Sequence, residues 1–236
     1  VGGPCATNPE PIANFVDIVY VGEGETSYGD LLDLYKECRK SGFNRQDFLR
    51  KACHIPGIYV PSLYEVGYKE SDGTLEYFRP LYDDVPSVID RQVVTDMDSS
   101  SYPTKMLIPF VRAIQDRVVL EIQRGCIRGC RFCQAGMIYR PNREKSVEVL
   151  KEQAKELLAS TGHEEISLSS LSSSDYHALG ELMDFLIDDC LSEGVNVSLP
   201  SLRIDAFSLD VMSKVQDVRK SSITFAPEAG SQRMRR

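Results

Sequence analysis

From Arg117 onward, short apolar runs alternate with longer stretches whose apolar positions recur at helical spacing. Val118–Ile122, Glu165–Leu168, Val195–Leu199 and Ser222–Phe225 read as strands, each four to five residues and rich in Val, Ile and Leu. Ser146 stands where a helix cap belongs, before a helix running to about Ser160 with Gly162 after it. Ser174 opens a second helix that Gly194 ends, and Ser208 caps a short third. Strand and helix in strict alternation predict a parallel sheet with right-handed crossovers. The spacing suits a (β/α) barrel; pattern alone leaves a doubly wound sheet open.

The first 116 residues are less regular. Ile18–Val21 is a short strand that runs into Gly22-Glu23-Gly24-Glu25. A helix follows from Thr26 or Ser27, with Leu31, Leu34, Tyr35 and Cys38 on one face and Gly42 at its end. Asn44 caps a short helix through Ala52, and Tyr59-Val60 and Leu63–Tyr68 read as strands. Ser71-Asp72-Gly73 is a turn, with Leu75–Phe78 returning as a hairpin partner. Asp96–Pro103 reads as an exposed linker. Three parts are expected: 1–42, a piece of an α/β domain; 43–116, a connecting region with a hairpin; and 117–236, the strand–helix repeat. Both ends read as cut, since the chain opens VGGPCATNPEP without Met and closes SITFAPEAGSQRMRR.

Composition narrows the chemistry. A hydrophobic content of 42% supports a real core, and a net charge of −8 argues against a surface built for general nucleic-acid binding. The seven cysteines are an odd number and no disulfide framework. Cys126, Cys130 and Cys133 stand at C-x3-C-x2-C directly after the first strand of the repeat. Three thiolates can hold three irons of a 4Fe–4S cluster and leave the fourth iron open to a small molecule. A zinc site usually wants four ligands, and the next histidine, His163, lies beyond a predicted helix. A zinc knuckle or three unrelated thiols is the plainer alternative. No apolar run has the length of a membrane span and no signal peptide is visible. With a thiolate-held cluster, which needs a reducing compartment, the chain reads as cytoplasmic.

The stretch Asp116–Ser146, DRVVLEIQRGCIRGCRFCQAGMIYRPNREKS, resembles the cluster loop of the radical S-adenosylmethionine (SAM) enzymes. The resemblance is closest over Arg112–Ser146 and extends loosely over the whole chain. It implies a partial parallel (β/α) barrel, here its first four strands, with chemistry at the strands' C-terminal ends. It also implies that the cysteines hold a 4Fe–4S cluster whose open iron chelates the methionine end of SAM. Phe132, just before the third cysteine, would lie beside the adenine. After the second strand, where many members carry Gly-Gly-Glu, this chain has SLSSLSSSD. Hydroxyls of Ser172 or Ser173 would stand in for that motif, and Asp175 for its acid; the alternative is a serine-rich loop that only caps a helix. Ser201 and Arg203, after the third strand, would reach SAM's ribose and methionine ends. Glu228, in APEAGS after the fourth, would accept from the ribose hydroxyls.

Upstream, GGPCATNPEP, YVGEGE and a Tyr-Pro linker resemble, in that order, the cobalamin-binding members of the superfamily. There a Rossmann-like domain precedes the barrel, and 1–42 would be its C-terminal end. The Asp-x-His-x-x-Gly signature of some cobalamin proteins is absent, so the resemblance assigns cobalamin to a full-length parent rather than to this stretch. The implied function is reductive cleavage of SAM to a 5′-deoxyadenosyl radical that acts on an unknown substrate, fed by a donor of flavodoxin or ferredoxin type. Two alternatives stand beside it: an RNA-modifying radical SAM enzyme, favoured by the arginines of the cysteine loop, and a non-catalytic iron–sulfur electron carrier. With half a barrel missing, weak SAM binding and no turnover are expected of this stretch alone.

Overall fold

The computed structural model of the chain describes residues 1–111, 113–203 and 227–235, with backbone alone at 190–193 and 235. It divides into two units, Val1–Thr95 and Asp96–Arg236.

In the first unit, β1 (Val19–Tyr20) pairs antiparallel with β2 (Ile58–Tyr59). Between them lie α1 (Tyr28–Lys40) and α2 (Arg45–Ala52). Asn44 caps α2 as its sequence position suggests: its side-chain oxygen accepts from the N–H groups of Gln46 at 2.9 Å and Asp47 at 3.1 Å. β3 (Tyr64–Tyr68) and β4 (Leu75–Pro80) form the expected hairpin around Asp72. The helices and the hairpin share one core, in which Val19, Cys38, Phe48, Leu49, Ala52, Ile58, Tyr59 and Tyr64 are buried together. The region after Gly42, expected as a connection, supplies most of this unit's buried core. The physical reason is that the apolar stripe of α1 needs a partner, and α2 supplies it, with Tyr35 edge-on to Phe48.

The second unit holds the parallel sheet. β5 (Val118–Glu121), β8 (Glu165–Ser169) and β9 (Asn196–Ser198) lie side by side, every pair parallel, with Leu120 opposite Leu168 and Ile166 opposite Val197. Between β5 and β8 come the short β6 (Gln123–Arg124), α3 (Ala135–Ile138), β7 (Arg143–Glu144) and the long α4 (Val147–Thr161). α5 (Leu179–Glu193) joins β8 to β9. Ser146 caps α4, its hydroxyl accepting from Val149 N–H, and Gly162 closes it in the left-handed region at φ 69°. Leu120, Ile122, Leu150, Ile166, Leu168, Leu182 and Met183 form the core between sheet and helices; burying each such side chain contributes about 1.5–3 kcal/mol.

Two expectations change. The second helix of the repeat begins at Leu179 rather than Ser174. Ser173–Asp175 form a single 3-10 turn, and the Ser174 hydroxyl expected to cap the helix accepts from Arg203 N–H instead. The Asp96–Pro103 segment is also more than a linker. The Asp98 carboxylate accepts from Ser146 N–H at 2.7 Å, Tyr102 donates its hydroxyl to the Val119 carbonyl, and Met97 is 2% exposed. The expected fourth strand, Ser222–Phe225, and the Ser208 cap lie outside the described residues. Among the described residues no helix is long and apolar enough to cross a membrane.

Candidate functional site

The cysteine loop begins where β5 ends. Its two roots are zipped together by β6 and β7, which pair antiparallel with Gln123 opposite Glu144 and Arg124 opposite Arg143. One residue below, Ile122 is bonded on both sides: its carbonyl accepts from Lys145 N–H at 2.9 Å, and its N–H reaches the Ser169 carbonyl at 3.1 Å. Residues 125–142 are thus a closed loop standing on the C-terminal edge of the parallel sheet. Gly125 sits in its neck at φ 88°, where a Cβ would meet the carbonyls of Tyr139 at 2.6 Å and Pro141 at 2.7 Å. Only glycine fits that approach. Arg143, buried, donates from Nε to the Pro141 carbonyl and from Nη2 to the Tyr139 carbonyl. Arg140 Nε donates to the Gly136 carbonyl at 3.0 Å.

On this frame Cys126 and Cys133 are half-buried and Cys130 is exposed, all three with free thiols. Two backbone amides face sulfur: Arg128 N–H donates to Cys126 Sγ and Gly136 N–H to Cys133 Sγ, each at 3.4 Å. Cys133 N–H turns back onto the Cys130 carbonyl at 3.1 Å. Among the described residues no three His, Cys, Asp or Glu side chains converge for a single metal ion. A cubane asks for something else, thiolates at separate corners of one loop, and amide donors to sulfur are the groups that tune such a cluster. The donor set and the loop fit it. Phe132 projects beside Cys133, 69% exposed.

The loops after β8 and β9 share this edge and are tied together. Ser173 donates its hydroxyl to the Pro200 carbonyl at 2.8 Å, and Arg203 N–H donates to Ser174 Oγ at 3.1 Å. Ser172 and Ser173 are both buried, and the Ser172 hydroxyl donates to Asp175 at 2.8 Å. The Asp175 carboxylate is held below the ordinary range, first by its hydrogen bond from Arg128 and then by that from Ser172. Ser201 is exposed at φ 58°, and Glu228 is exposed at φ 65°. They are the positive-φ non-glycine residues among those described. The left-handed region costs such residues about 1–3 kcal/mol, and both stand at positions where the sequence suggests SAM contacts.

Of the five loop arginines, four are engaged within the protein: Arg124 with Glu121, Arg128 with Asp175, and Arg140 and Arg143 with loop carbonyls. Arg131 is exposed. The histidines face carboxylates, His54 toward Asp84, His163 toward Asp116 and His177 toward Glu144. Lys145, directly after the loop, carries no signal in the sequence. It is 1% exposed, its Nζ lies 4.4 Å from the Tyr102 ring centroid, and it donates to Gln153 Oε1 at 3.2 Å. A charged run such as NREKS reads as solvated, and nothing local marks one of its members as buried.

Two family models match the chain. The one described as radical SAM proteins, N-terminal, covers residues 1–61, and the one described as the radical SAM superfamily covers residues 120–236. The uncharacterized protein MJ0966 of Methanocaldococcus jannaschii is 30% identical over the whole of this chain. The chain spans about half, 54%, of that relative's length. Among solved structures, the cobalamin-dependent S-adenosylmethionine radical enzyme OxsB aligns with 99% of this chain and 31% of its own, at 17% identity and TM-score 0.54. The radical S-adenosylmethionine methyltransferase TsrM of Kitasatospora setae aligns with 92% of this chain and 39% of its own, at 13% identity and TM-score 0.50. At such identities the likeness is one of fold, a mixed α/β fold with a parallel sheet.

Proposed function

The chain belongs to the radical SAM superfamily, and from that premise we propose that Cys126, Cys130 and Cys133 hold a 4Fe–4S cluster that binds SAM. One observation carries the reading. The three thiols stand on a single loop, closed at its neck by β6 and β7, at the C-terminal edge of a parallel sheet, with amides aimed at two of the sulfurs. When bound and reduced, the cluster supplies the electron that cleaves SAM to a 5′-deoxyadenosyl radical. The chain's own residues place and shield. Phe132 offers a face for the adenine. Arg203 suits the SAM carboxylate because its fork meets both oxygens. Ser201 and Glu228 present polar side chains from left-handed turns toward ribose. Ser172 and Ser173 contribute through backbone groups, since their hydroxyls already donate within the protein.

In this reading the parallel sheet is the first part of a partial barrel, and the stretch up to Gly42 is the end of a Rossmann-like domain. The neighbours OxsB and TsrM were solved with cobalamin, which supports cobalamin as a further cofactor in this reading. A donor of flavodoxin or ferredoxin type would reduce the cluster, and the substrate is left open. The test is anaerobic reconstitution, then spectroscopy of the reduced cluster with and without SAM. A SAM-dependent change in the spectrum, with 5′-deoxyadenosine formed under dithionite, is expected. A cluster whose spectrum ignores SAM would make the protein an electron carrier instead.

A further inference from the structure

From sequence Asp175 stands as an acid for SAM; the geometry points elsewhere. We propose that Asp175 is a positioning residue of the cluster loop. It acts through Arg128, holding in place the backbone amide that donates to the Cys126 sulfur and balancing a guanidinium charge beside the cluster. This rests on the cluster reading above.

Arg128 lies between Cys126 and Cys130, and its own N–H is the donor to Cys126 Sγ. Its side chain leaves the loop. Nε donates to Asp175 Oδ2 at 2.9 Å, and Nη2 pairs with Oδ1. A planar fork on a carboxylate fixes orientation as well as distance. The Asp175 side chain is 7% exposed and the Arg128 side chain 37%, so the carboxylate end of the pair is sheltered while the guanidinium reaches solvent. The same carboxylate accepts from Ser172 Oγ, and the Ser172 carbonyl accepts from buried Gln123 Nε2 at 2.7 Å. Gln123 belongs to β6, the root of the cysteine loop. The contacts therefore form a ring: from the root of the loop to Ser172, to Asp175, to Arg128, and back to the first cysteine. The outer turn of the loop needs such a tie, because Ile127, Gly129, Cys130, Arg131 and Phe132 are all exposed.

Two consequences separate a positioning role from a merely structural one. Partners behind metal ligands orient them, and losing one typically weakens metal binding about 10- to 100-fold. Charge and hydrogen bonds near the sulfurs also set a cluster's potential. Removing the negative member of the pair should ease reduction, and removing the positive member should hinder it.

The full chain, reconstituted anaerobically, is the material. Asp175→Asn should shift the cluster's midpoint potential upward and Arg128→Gln downward, with the double variant returning toward wild type. Asp175→Ala should lose iron to a chelator at about 10- to 100-fold lower chelator concentration, and Asp175→Glu should recover much of that loss. Potentials unmoved, or moved in the same direction by both single variants, while the apoprotein melts lower, would leave a structural ion pair and overturn the proposal. Should Asp175→Ala not fold, the near-isosteric Asn and Gln variants decide by the same signs. Retention of the cluster by a Cys126→Ala, Cys130→Ala, Cys133→Ala control would remove the cluster assignment itself, whatever the Asp175 series shows.

Discussion

Gly22 and Gly125 each come after a strand, each in a different unit, and each lies in the positive-φ region, at 124° and 88°. In sequence they look alike, glycines opening turns beside candidate chemistry. Both are required by a close approach of backbone. A Cβ on Gly22 would stand 2.2 Å from the Gln92 carbonyl, and one on Gly125 would stand 2.6 Å from that of Tyr139. What they close differs. At Gly22 the partner is a distant segment: Gln92 N–H donates to Val21 and Glu23 N–H donates to Gln92, with Val94 N–H held by the Glu23 carboxylate. The turn is filled by protein, and the Tyr20 hydroxyl ties it to Thr26 and Ser27. At Gly125 the partner is the far side of the same loop, and the turn sets three thiols at the sheet edge. A glycine after a strand therefore reports an approaching backbone. Whether a ligand is meant depends on the side chains that the closed turn displays, three thiols in one case and none in the other.

The comparison is open to four tests, taken from the largest expected effect. Alanine at Cys126, Cys130 or Cys133 should abolish cluster formation as counted by iron and sulfide per chain, while alanine at Cys5 or the buried Cys38 and Cys53 should leave the count intact. Equal loss from either set would erase the distinction between the units. Next, Gly125→Ala and Gly22→Ala should each cost roughly 2–4 kcal/mol, from left-handed strain and overpacking. Only the first should also reduce iron retention in the reconstituted chain. If Gly22→Ala sheds iron as readily, the turns are not separable.

The two capped helices give a smaller pair. Asn44→Ala and Ser146→Ala should each lower stability by about 1 kcal/mol, read from denaturant melts. Ser146→Ala alone should slow cluster assembly, because the lost hydroxyl caps a helix that starts just past β7, the strand closing the neck of the loop. The smallest effect is acid sensitivity. The folded carboxyl of Asp175 lies below its ordinary value of 3.8, so its stabilisation is complete above the unfolded value. It fades as pH falls through the lower, folded one. Asp175→Asn should flatten the acid limb of stability below about pH 4. An unchanged acid limb would mean that the ion pair with Arg128 is not kept in solution.

Much of the frame was legible because its signals are local. β5, β8 and β9 are short apolar runs with their punctuation nearby, and the caps Asn44 and Ser146 and the stop at Gly162 are written within a few residues of the helices they serve. What was less legible depends on partners that the local sequence does not show. The hairpin and α2 looked like connection because the core they share, with Val19 of β1 and Cys38 of α1, is assembled only in three dimensions. Asp96–Pro103 is mostly exposed, as it reads, but its ties to Ser146 and Val119 were not in view. Ser174 looked like a cap, but its hydroxyl accepts from Arg203.

The sequence by itself determined the chemistry on offer: three thiols at fixed spacing on a loop that comes after a strand, in a parallel sheet that places every such loop on one edge. That is decided by spacing and alternation, which survive without long-range contact. Tertiary structure decided which polar side chains serve that chemistry and which only hold it up. Lys145 is buried, Ser172 and Ser173 face inward, and Asp175 meets Arg128 across 47 residues. A charged or hydroxyl side chain carries no local mark of its partner, and its role is set by what the fold brings within about 3 Å of it.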